Sequence, residues 1–175
     1  MQLRRFVLLS LLMTAFVAPW SGALAQQEKS GKPEAPGSEA LLRGTVAEFE
    51  KVWNRHDVRA WLAMMTDDIW FTAAEDLYGQ MKGKKAVKTT FEYDVKNTDL
   101  RWEIQRLRMM PDGTASVVLR HTALLLPKVD GKYKREDVSE PSLSRWRLVN
   151  GKWRLFYFTS HKGLALAEMK KDGLE

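Results

Sequence analysis

Apolar positions in the first part of the chain recur at helical spacing. Leu42, Val46, Phe49 and Trp53 are separated by four, three and four residues. This spacing places the four side chains on one face of a first helix. The polar segment from Asn54 to Asp57 then ends that helix.

Two further helices and a short strand are predicted before the main sheet. Asp57 can cap a second, short helix that stops around Thr66. Residues 69–73 are rich in β-branched and aromatic side chains and predict a strand. Apolar residues recur at helical spacing again in residues 84–95, which predicts a third helix.

From Leu100 onward the apolar period changes to two, which predicts a series of strands. Trp102 and Ile104 lie in one phase and Leu107 lies in the other, so we expect a bulge near Arg106 that curves the sheet. Asp-Gly and Asn-Gly pairs between the strands predict hairpin turns. Helices followed by a mainly antiparallel sheet place the chain in the α+β class.

The first 25 residues have the pattern of a secretory signal peptide. Arg4 and Arg5 precede a short apolar run, and Ala23-Leu24-Ala25 supplies a small-x-small cleavage pattern. Residues 26–38 are polar and contain prolines and glycine, which predicts a flexible linker. We therefore expect a secreted or periplasmic protein with one folded domain at residues 39–175 and no membrane span in the mature chain.

Composition narrows the possible partners and cofactors. The chain has no cysteine, and its three histidines show no metal-ligand spacing, so we predict neither a disulfide framework nor a metal site. The sequence contains no phosphate-binding or dinucleotide-binding glycine motif, so we predict no cofactor. Without the signal peptide, 26 basic and 22 acidic side chains remain. This mild excess, with no basic-aromatic stripe, predicts no binding of nucleic acid.

The order of elements resembles the nuclear transport factor 2-like superfamily, particularly its branch of SnoaL-like proteins and calcium/calmodulin-dependent kinase association domains. The resemblance covers about residues 40 to 162. It implies a cone-shaped half-barrel in which three N-terminal helices pack on a curved, mainly antiparallel sheet. It also implies a homodimer and a pocket at the open end, but the superfamily includes both enzymes and domains without catalysis. The segments that carry the resemblance are 49–57, Asp67-Asp68-Ile69, 83–87, Ser144-Arg145-Trp146 and 151–155.

Strand alternation and the resemblance together suggest which residues line that pocket. Strict alternation would place Trp153, Leu155, Tyr157 and Thr159 on one face of the last strand. The kinase-association branch has a pattern similar to Trp-x-x-x-His-x-His there, but Tyr157 and Thr159 occupy the two histidine positions. The candidate pocket-lining residues are Trp53, Trp70, Tyr78, His121, Arg145, Tyr157 and Thr159.

The chemical roles of three candidates stay open at this stage. His121 shares a phase with apolar neighbours, so it either packs in the core or serves as an acid/base in the pocket wall. Arg145 either holds a ligand carboxylate, as the resemblance implies, or lies with Arg147 on a solvated face. Tyr157 either donates a hydrogen bond to an oxyanion or packs by its ring.

Two functions are compatible with these residues. The first is an exported module that binds a small, anionic organic ligand in an aromatic-lined pocket. The second is a cofactor-free lyase or isomerase that uses His121 or Tyr157 as acid/base. We favour the first because no pair of charged side chains in matched phase emerges to transfer protons. No residue is assigned a catalytic role.

Overall fold

The computed structural model describes residues 37–73, 79–127, 129–133 and 135–175. The predicted signal peptide, most of the predicted linker and the candidate residue Tyr78 lie outside these residues. Three helices and two short strands come first, followed by an antiparallel meander of four strands and a last helix. The elements are α1 (Glu39–Asn54), α2 (Val58–Ala63), β1 (Met65–Thr72), β2 (Gln80–Lys82), α3 (Gly83–Asn97), β3 (Thr98–Met109), β4 (Ala115–Leu125), β5 (Glu136–Val149), β6 (Lys152–Thr159) and α4 (Lys162–Asp172).

The first two helices begin at side-chain caps. The Ser38 hydroxyl accepts a hydrogen bond from the Leu41 backbone N–H at 3.1 Å. The Asp57 carboxylate accepts one from the Ala60 N–H at 2.9 Å, which confirms the predicted cap of α2. However, α2 ends at Ala63, and β1 begins earlier than the predicted strand, so the second helix is shorter than expected.

The six strands form one sheet in the order β2-β1-β6-β5-β4-β3. Every neighbouring pair is antiparallel except β1 and β6, which are parallel. The register of β3 against β4 shifts between Ile104 and Arg106, which confirms the predicted bulge. Because bulges bend a strand and increase its twist, they help the sheet to curve around the helices. The α+β class and the mainly antiparallel sheet are therefore confirmed.

Helices α1, α2 and α3 cover one face of the sheet, which we call the inner face; the opposite face is the outer face. Aromatic side chains fill the space between the helices and the inner face. Trp102 stacks on Phe49 with ring centroids 4.4 Å apart and on Phe158 at 5.5 Å. Trp61 and Trp146 are fully buried beside them. The aromatic residues thus form a packed core inside the half-barrel.

The outer face carries a smaller core beneath α4, a helix that the sequence pattern does not predict. Ala165 and Met169 of α4 pack on Val118 and Leu143 of the sheet. The third buried side chain of α4 is the carboxylate of Asp172. An alanine, a methionine and an acid do not form an apolar stripe. The sequence of this segment therefore lacks the apolar periodicity that predicts a helix. The described residues therefore contain one helix more than the three predicted.

No helix in the described ranges is both long enough and apolar enough to span a membrane.

Replacing Trp53 tests the packing of α1. Its side chain is 7% exposed, and its indole N–H donates to the Thr98 carbonyl at 3.0 Å. We expect Trp53→Ala to lower the free energy of unfolding by about 3–5 kcal/mol, as other large-to-small core changes do. Chemical denaturation measures this change. Tyr93→Ala is the control, because that side chain is 73% exposed and its loss should change stability by less than about 0.5 kcal/mol. Equal effects of the two variants would contradict the assignment of α1.

Candidate functional site

The last strand, β6, contains a bulge that changes which side chains share a face. Trp146 of β5 pairs with Leu155, whereas the preceding Arg145 pairs with Tyr157. Phe156 is therefore an extra residue in β6. An extra residue reverses the alternation beyond it. Leu155 accordingly packs in the inner core and Tyr157 in the outer one.

Because of this bulge, the side chains of β6 do not all lie on the predicted face of the sheet. Trp153 and Leu155 lie on the inner face, as strict alternation would place them. Tyr157 and Thr159 lie on the outer face, because Thr159 pairs directly with the outer-face residue Leu143. The prediction that all four side chains share one face is therefore wrong for the second pair.

A pocket of about 330 Å³ lies on the outer face, where β1, β2, β5 and β6 meet α4. It brings together three of the seven candidate residues, Trp70, Arg145 and Tyr157. Trp70 lies directly opposite Tyr157 in the β1–β6 pair, and the two rings meet edge to face at 5.7 Å. The other lining residues are Asp68, Thr72, Gln80, Lys82, Phe156, Leu164 and Glu168.

Arg145 forms the floor of this pocket and is bound by carboxylates of α4. Its guanidinium donates two hydrogen bonds of 2.9 Å to Asp172 and one of 2.7 Å to Glu168. Asp172 also accepts a bond of 2.6 Å from the Ser116 hydroxyl. The Arg145 side chain is only 19% exposed. A ligand carboxylate at Arg145 would therefore compete with two carboxylates of the chain itself.

The charges around Arg145 shift the protonation equilibria of their neighbours. Burial by itself would lower the pKa of the Arg145 guanidinium, but Asp172 and Glu168 raise it above its ordinary value. Burial would likewise raise the pKa of Glu168, but hydrogen bonds from Lys171 and Arg145 hold it below the usual range. Burial and the charge of Glu168 raise the pKa of the Tyr157 phenol. At neutral pH Tyr157 is therefore a protonated group that can donate a hydrogen bond.

Lys82 contributes a pocket cation that has no acidic partner among the described residues. Its ammonium lies 5.6 Å from the centroid of the Trp70 ring, within the range of a cation–π contact. No carboxylate among the described residues forms an ion pair with it. Asp68, on the same wall, is bound instead by Arg147. Among the described residues, the positive charge of the pocket without an ion-pair partner is thus at Lys82, a residue that sequence reasoning did not select.

His121 lies on the inner face, away from this pocket. It shares its phase with Val117 and Leu119, as predicted, and both of these are fully buried. Its Nδ1 accepts a hydrogen bond of 3.2 Å from the Trp102 indole N–H. Within the described part of the chain no carboxylate lies at hydrogen-bonding distance. Burial lowers the pKa of His121 to about 4, so its imidazole is neutral at pH 7.

The remaining candidates do not join the pocket. Trp53 packs in the inner core. Thr159 is fully buried on the outer face, where its hydroxyl accepts a hydrogen bond from the His161 N–H at 3.2 Å. Tyr78 lies outside the described residues. The structure instead adds the acids of α4, Glu168 and Asp172. Their spacing of four residues places them on one helical face, a signal that is readable only once residues 162–172 are known to be helical.

The described residues contain no group of three or more histidine, aspartate or glutamate side chains arranged to hold a metal ion.

Residues 46–156 match the SnoaL-like domain family, so the chain belongs to this family and the predicted resemblance is confirmed. A comparison with curated proteins finds no match. Among solved structures, the chain is similar to a putative calcium/calmodulin dependent protein kinase II association domain from Xanthomonas campestris. The identity is 12% and the TM-score 0.59, over 69% of this chain and 84% of that one.

Two other similar structures have the same fold. One is a ketosteroid isomerase-like protein from Erwinia carotovora atroseptica, with 18% identity and a TM-score of 0.53 over 69% of this chain and 92% of that one. The other is an NTF-2 like protein of unknown function from Shewanella oneidensis, with 16% identity and a TM-score of 0.53 over 70% and 97%. At these identities the likeness establishes the fold alone.

The low pKa of His121 predicts a pH-dependent stability. Between pH 6.5 and about 4 the unfolded chain binds a proton at this residue and the folded chain does not. The free energy of unfolding should therefore fall by about 3 kcal/mol as the pH drops through this window and then level off for this group. We expect His121→Asn to remove that part of the slope when urea denaturation is repeated at each pH. Parallel pH curves for the two proteins would contradict this prediction.

Proposed function

We propose that this SnoaL-like protein binds a small organic anion with an aromatic group in the outer-face pocket. The observation that carries the proposal is the arrangement of Trp70, Tyr157 and Lys82 around one cavity of about 330 Å³. This volume lies within the range of small-molecule sites, which combine apolar walls with a few placed polar groups. The homodimer implied by the resemblance stays a prediction.

Lys82 is the group that selects an anion. Two cationic side chains line the pocket, but the guanidinium of Arg145 already binds Asp172 and Glu168. Lys82 has no acidic partner within the described residues. Its ammonium lies over the Trp70 ring, and both residues line the cavity. An incoming carboxylate therefore gains a charge–charge contact at Lys82 without displacing an existing one. Arg145 serves to hold the floor of the pocket in place.

The aromatic walls select a flat ligand. Trp70 and Tyr157 are held edge to face, and the bulged Phe156 lines the same cavity. Rings in this arrangement present both faces and edges to an inserted aromatic group. Trp70 is 37% exposed, and a large exposed aromatic side chain in a cavity is a frequent anchor for ligands. The pocket is thus suited to an aromatic acid.

The alternative function, a cofactor-free lyase or isomerase, has weaker support. It would use His121 or Tyr157 as acid/base, and these lie on opposite faces of the sheet. The neutral imidazole of His121 is bonded to an indole and contacts none of the described carboxylates. The raised pKa of Tyr157 disfavours its use as a base. The described residues therefore do not bring His121 or Tyr157 together with a partner for proton transfer.

Ligand binding is tested with aromatic acids such as benzoate, 4-hydroxybenzoate and indole-3-carboxylate, each beside its uncharged amide. An acid present at a hundredfold its Kd should stabilise the fold by about 2.7 kcal/mol, measurable as a thermal shift. We expect Lys82→Met to weaken binding by about 1 kcal/mol, the upper range for an exposed ion pair. Trp70→Ala should weaken it by about 2 kcal/mol or more.

Lys85→Met is the matched control, because Lys85 is an exposed lysine of α3 that does not line the pocket. It should bind the acids as the wild type does. Equal binding of an acid and its amide, or equal loss in the Lys82 and Lys85 variants, would refute the role of the ammonium. Binding that survives Trp70→Ala unchanged would place the ligand elsewhere.

We also propose that the protein is exported and cleaved after Ala25, which makes it secreted or periplasmic. The proposal is supported by the basic start, the apolar run and the Ala23-Leu24-Ala25 pattern. Intact-mass measurement of protein from an exporting host should give a mature chain that begins at Gln26. A variant with Ala23→Leu and Ala25→Leu should keep the peptide, because the cleavage site requires small residues. A wild-type chain that retains Met1 on a membrane-bound form would overturn this proposal.

A further inference from the structure

A second cavity, of about 440 Å³, lies on the other side of the molecule from the outer-face pocket. We call it the α1–α2 groove. Its walls are α1, α2 and the first residues of β6. Its apolar lining includes Leu41, Val52, Ala60, Met64 and Trp153.

The groove exists because β6 begins before its neighbour β1. The pairing of the two strands starts at Met65 and Leu155, so the earlier residues of β6 have no strand on this side. The Leu155 N–H donates to the Met64 carbonyl at 3.0 Å. Backbone groups point to alternate sides along a strand, so the Trp153 N–H points in the same direction as that of Leu155. No backbone acceptor from the described part of α2 meets it.

The floor of the groove contains a glycine in the middle of a helix. Gly44 lies in the interior of α1, and a Cβ added there would have no atom within 4 Å. Glycine destabilises a helix interior relative to alanine. No packing constraint explains its presence, whereas close approach of a ligand to the helix backbone would. On the facing wall, α2 also contributes only short side chains, those of Ala60 and Ala63.

The wall formed by Trp153 carries an unpaired donor. The indole is 2% exposed, and its Nε1–H has no hydrogen-bond acceptor among the described residues. Burying a donor without an acceptor is unfavourable, and native proteins rarely leave such groups unpaired. The Nε1 atom is buried behind the ring, so the indole lines the groove as an apolar wall, and the donor of Trp153 on the open side of β6 is its backbone N–H.

The charges on the rim favour an anion. Lys152 and Arg154 line the groove and form no ion pair with any described residue. The acidic lining residue, Glu48, is bound by Arg55 at 3.1 Å. The rim therefore carries two positive charges that no described carboxylate neutralises, next to an apolar floor. An apolar chain with an anionic head matches this distribution.

From these observations we propose that the α1–α2 groove binds an unbranched aliphatic carboxylate. Its chain lies over Gly44 against Leu41, Val52 and Met64, and its carboxylate lies on the β6 side. There it pairs with Lys152 and accepts a hydrogen bond from the Trp153 backbone N–H, which meets no acceptor from the described part of α2. This site is separate from the outer-face pocket, so either one can bind its ligand without the other.

Decanoate is the probe, with decanol and decyltrimethylammonium as uncharged and cationic analogues. Binding is measured by titration calorimetry and by the change in tryptophan fluorescence, because Trp153 lies in the wall. We expect saturable binding of one decanoate per chain, with the two analogues at least tenfold weaker. Absence of saturable decanoate binding, or equal affinity for all three compounds, would overturn the proposal.

Variants of Gly44 test the position of the chain. Gly44→Leu should fill the groove and weaken decanoate binding at least tenfold. The melting temperature of this variant should stay the same or rise, because glycine is replaced by a better helix former. Gly44→Ala should give the same gain in stability with a smaller loss of affinity. Wild-type affinity in a folded Gly44→Leu protein would exclude this groove as the site.

Variants of lysine test the position of the carboxylate. Lys152→Gln should weaken decanoate binding several-fold, whereas Lys132→Gln, at another exposed turn, should not. Lys82→Met, in the outer-face pocket, should leave decanoate binding unchanged. Loss of decanoate binding in the Lys82 variant instead of the Lys152 variant would assign the fatty chain to the outer-face pocket and overturn this inference. Equal losses of affinity in the Lys152 and Lys132 variants would show that only the net charge of the protein matters, and would also overturn this inference.

Discussion

The ion pair between Arg145 and Asp172 determines how the outer face of the sheet is covered. Asp172, the last residue of α4, is buried, and a buried carboxylate without a partner destabilises a fold by several kcal/mol. The guanidinium of Arg145 and the hydroxyl of Ser116 satisfy it, so α4 can dock with its few apolar side chains. Because α4 supplies Leu164 and Glu168 to the cavity, one side of the outer-face pocket depends on this pair.

The same pair determines which cation remains for a ligand. Arg145 and Lys82 line one cavity, but a guanidinium that already holds two carboxylates offers little to a third. Lys82 stands on a short edge strand and forms no ion pair with the acids of α4 or with any other described carboxylate. The chemistry of the pocket therefore follows from its ion-pair geometry as much as from its list of residues.

Aromatic side chains fill the half-barrel, which explains why the outer-face pocket and the α1–α2 groove lie at its periphery. The resemblance implied a pocket at the open end of the cone, yet Phe49, Trp102 and Phe158 stack through the space beneath the helices. His121 is bonded into this stack by an indole N–H and is kept neutral by burial. A packed aromatic interior stabilises the domain. The proposed ligand sites are therefore the outer-face pocket and the α1–α2 groove, where β6 begins before β1.

The sequence by itself determined the elements whose side chains repeat with a clear period. The stripe of α1, the cap at Asp57, the bulge near Arg106 and the α+β class are all local properties, because each depends on residues within a few positions of one another. The order of these elements also identified the family.

The faces on which Tyr157 and Thr159 lie depend on the tertiary structure. One extra residue, Phe156, reverses the alternation of β6, and the amino-acid sequence of the strand gives no sign of it. The tertiary structure likewise decided the existence of α4 and the partners of Arg145, because a helix that docks through a buried acid has no apolar stripe, and its acid is satisfied by a strand 27 residues away.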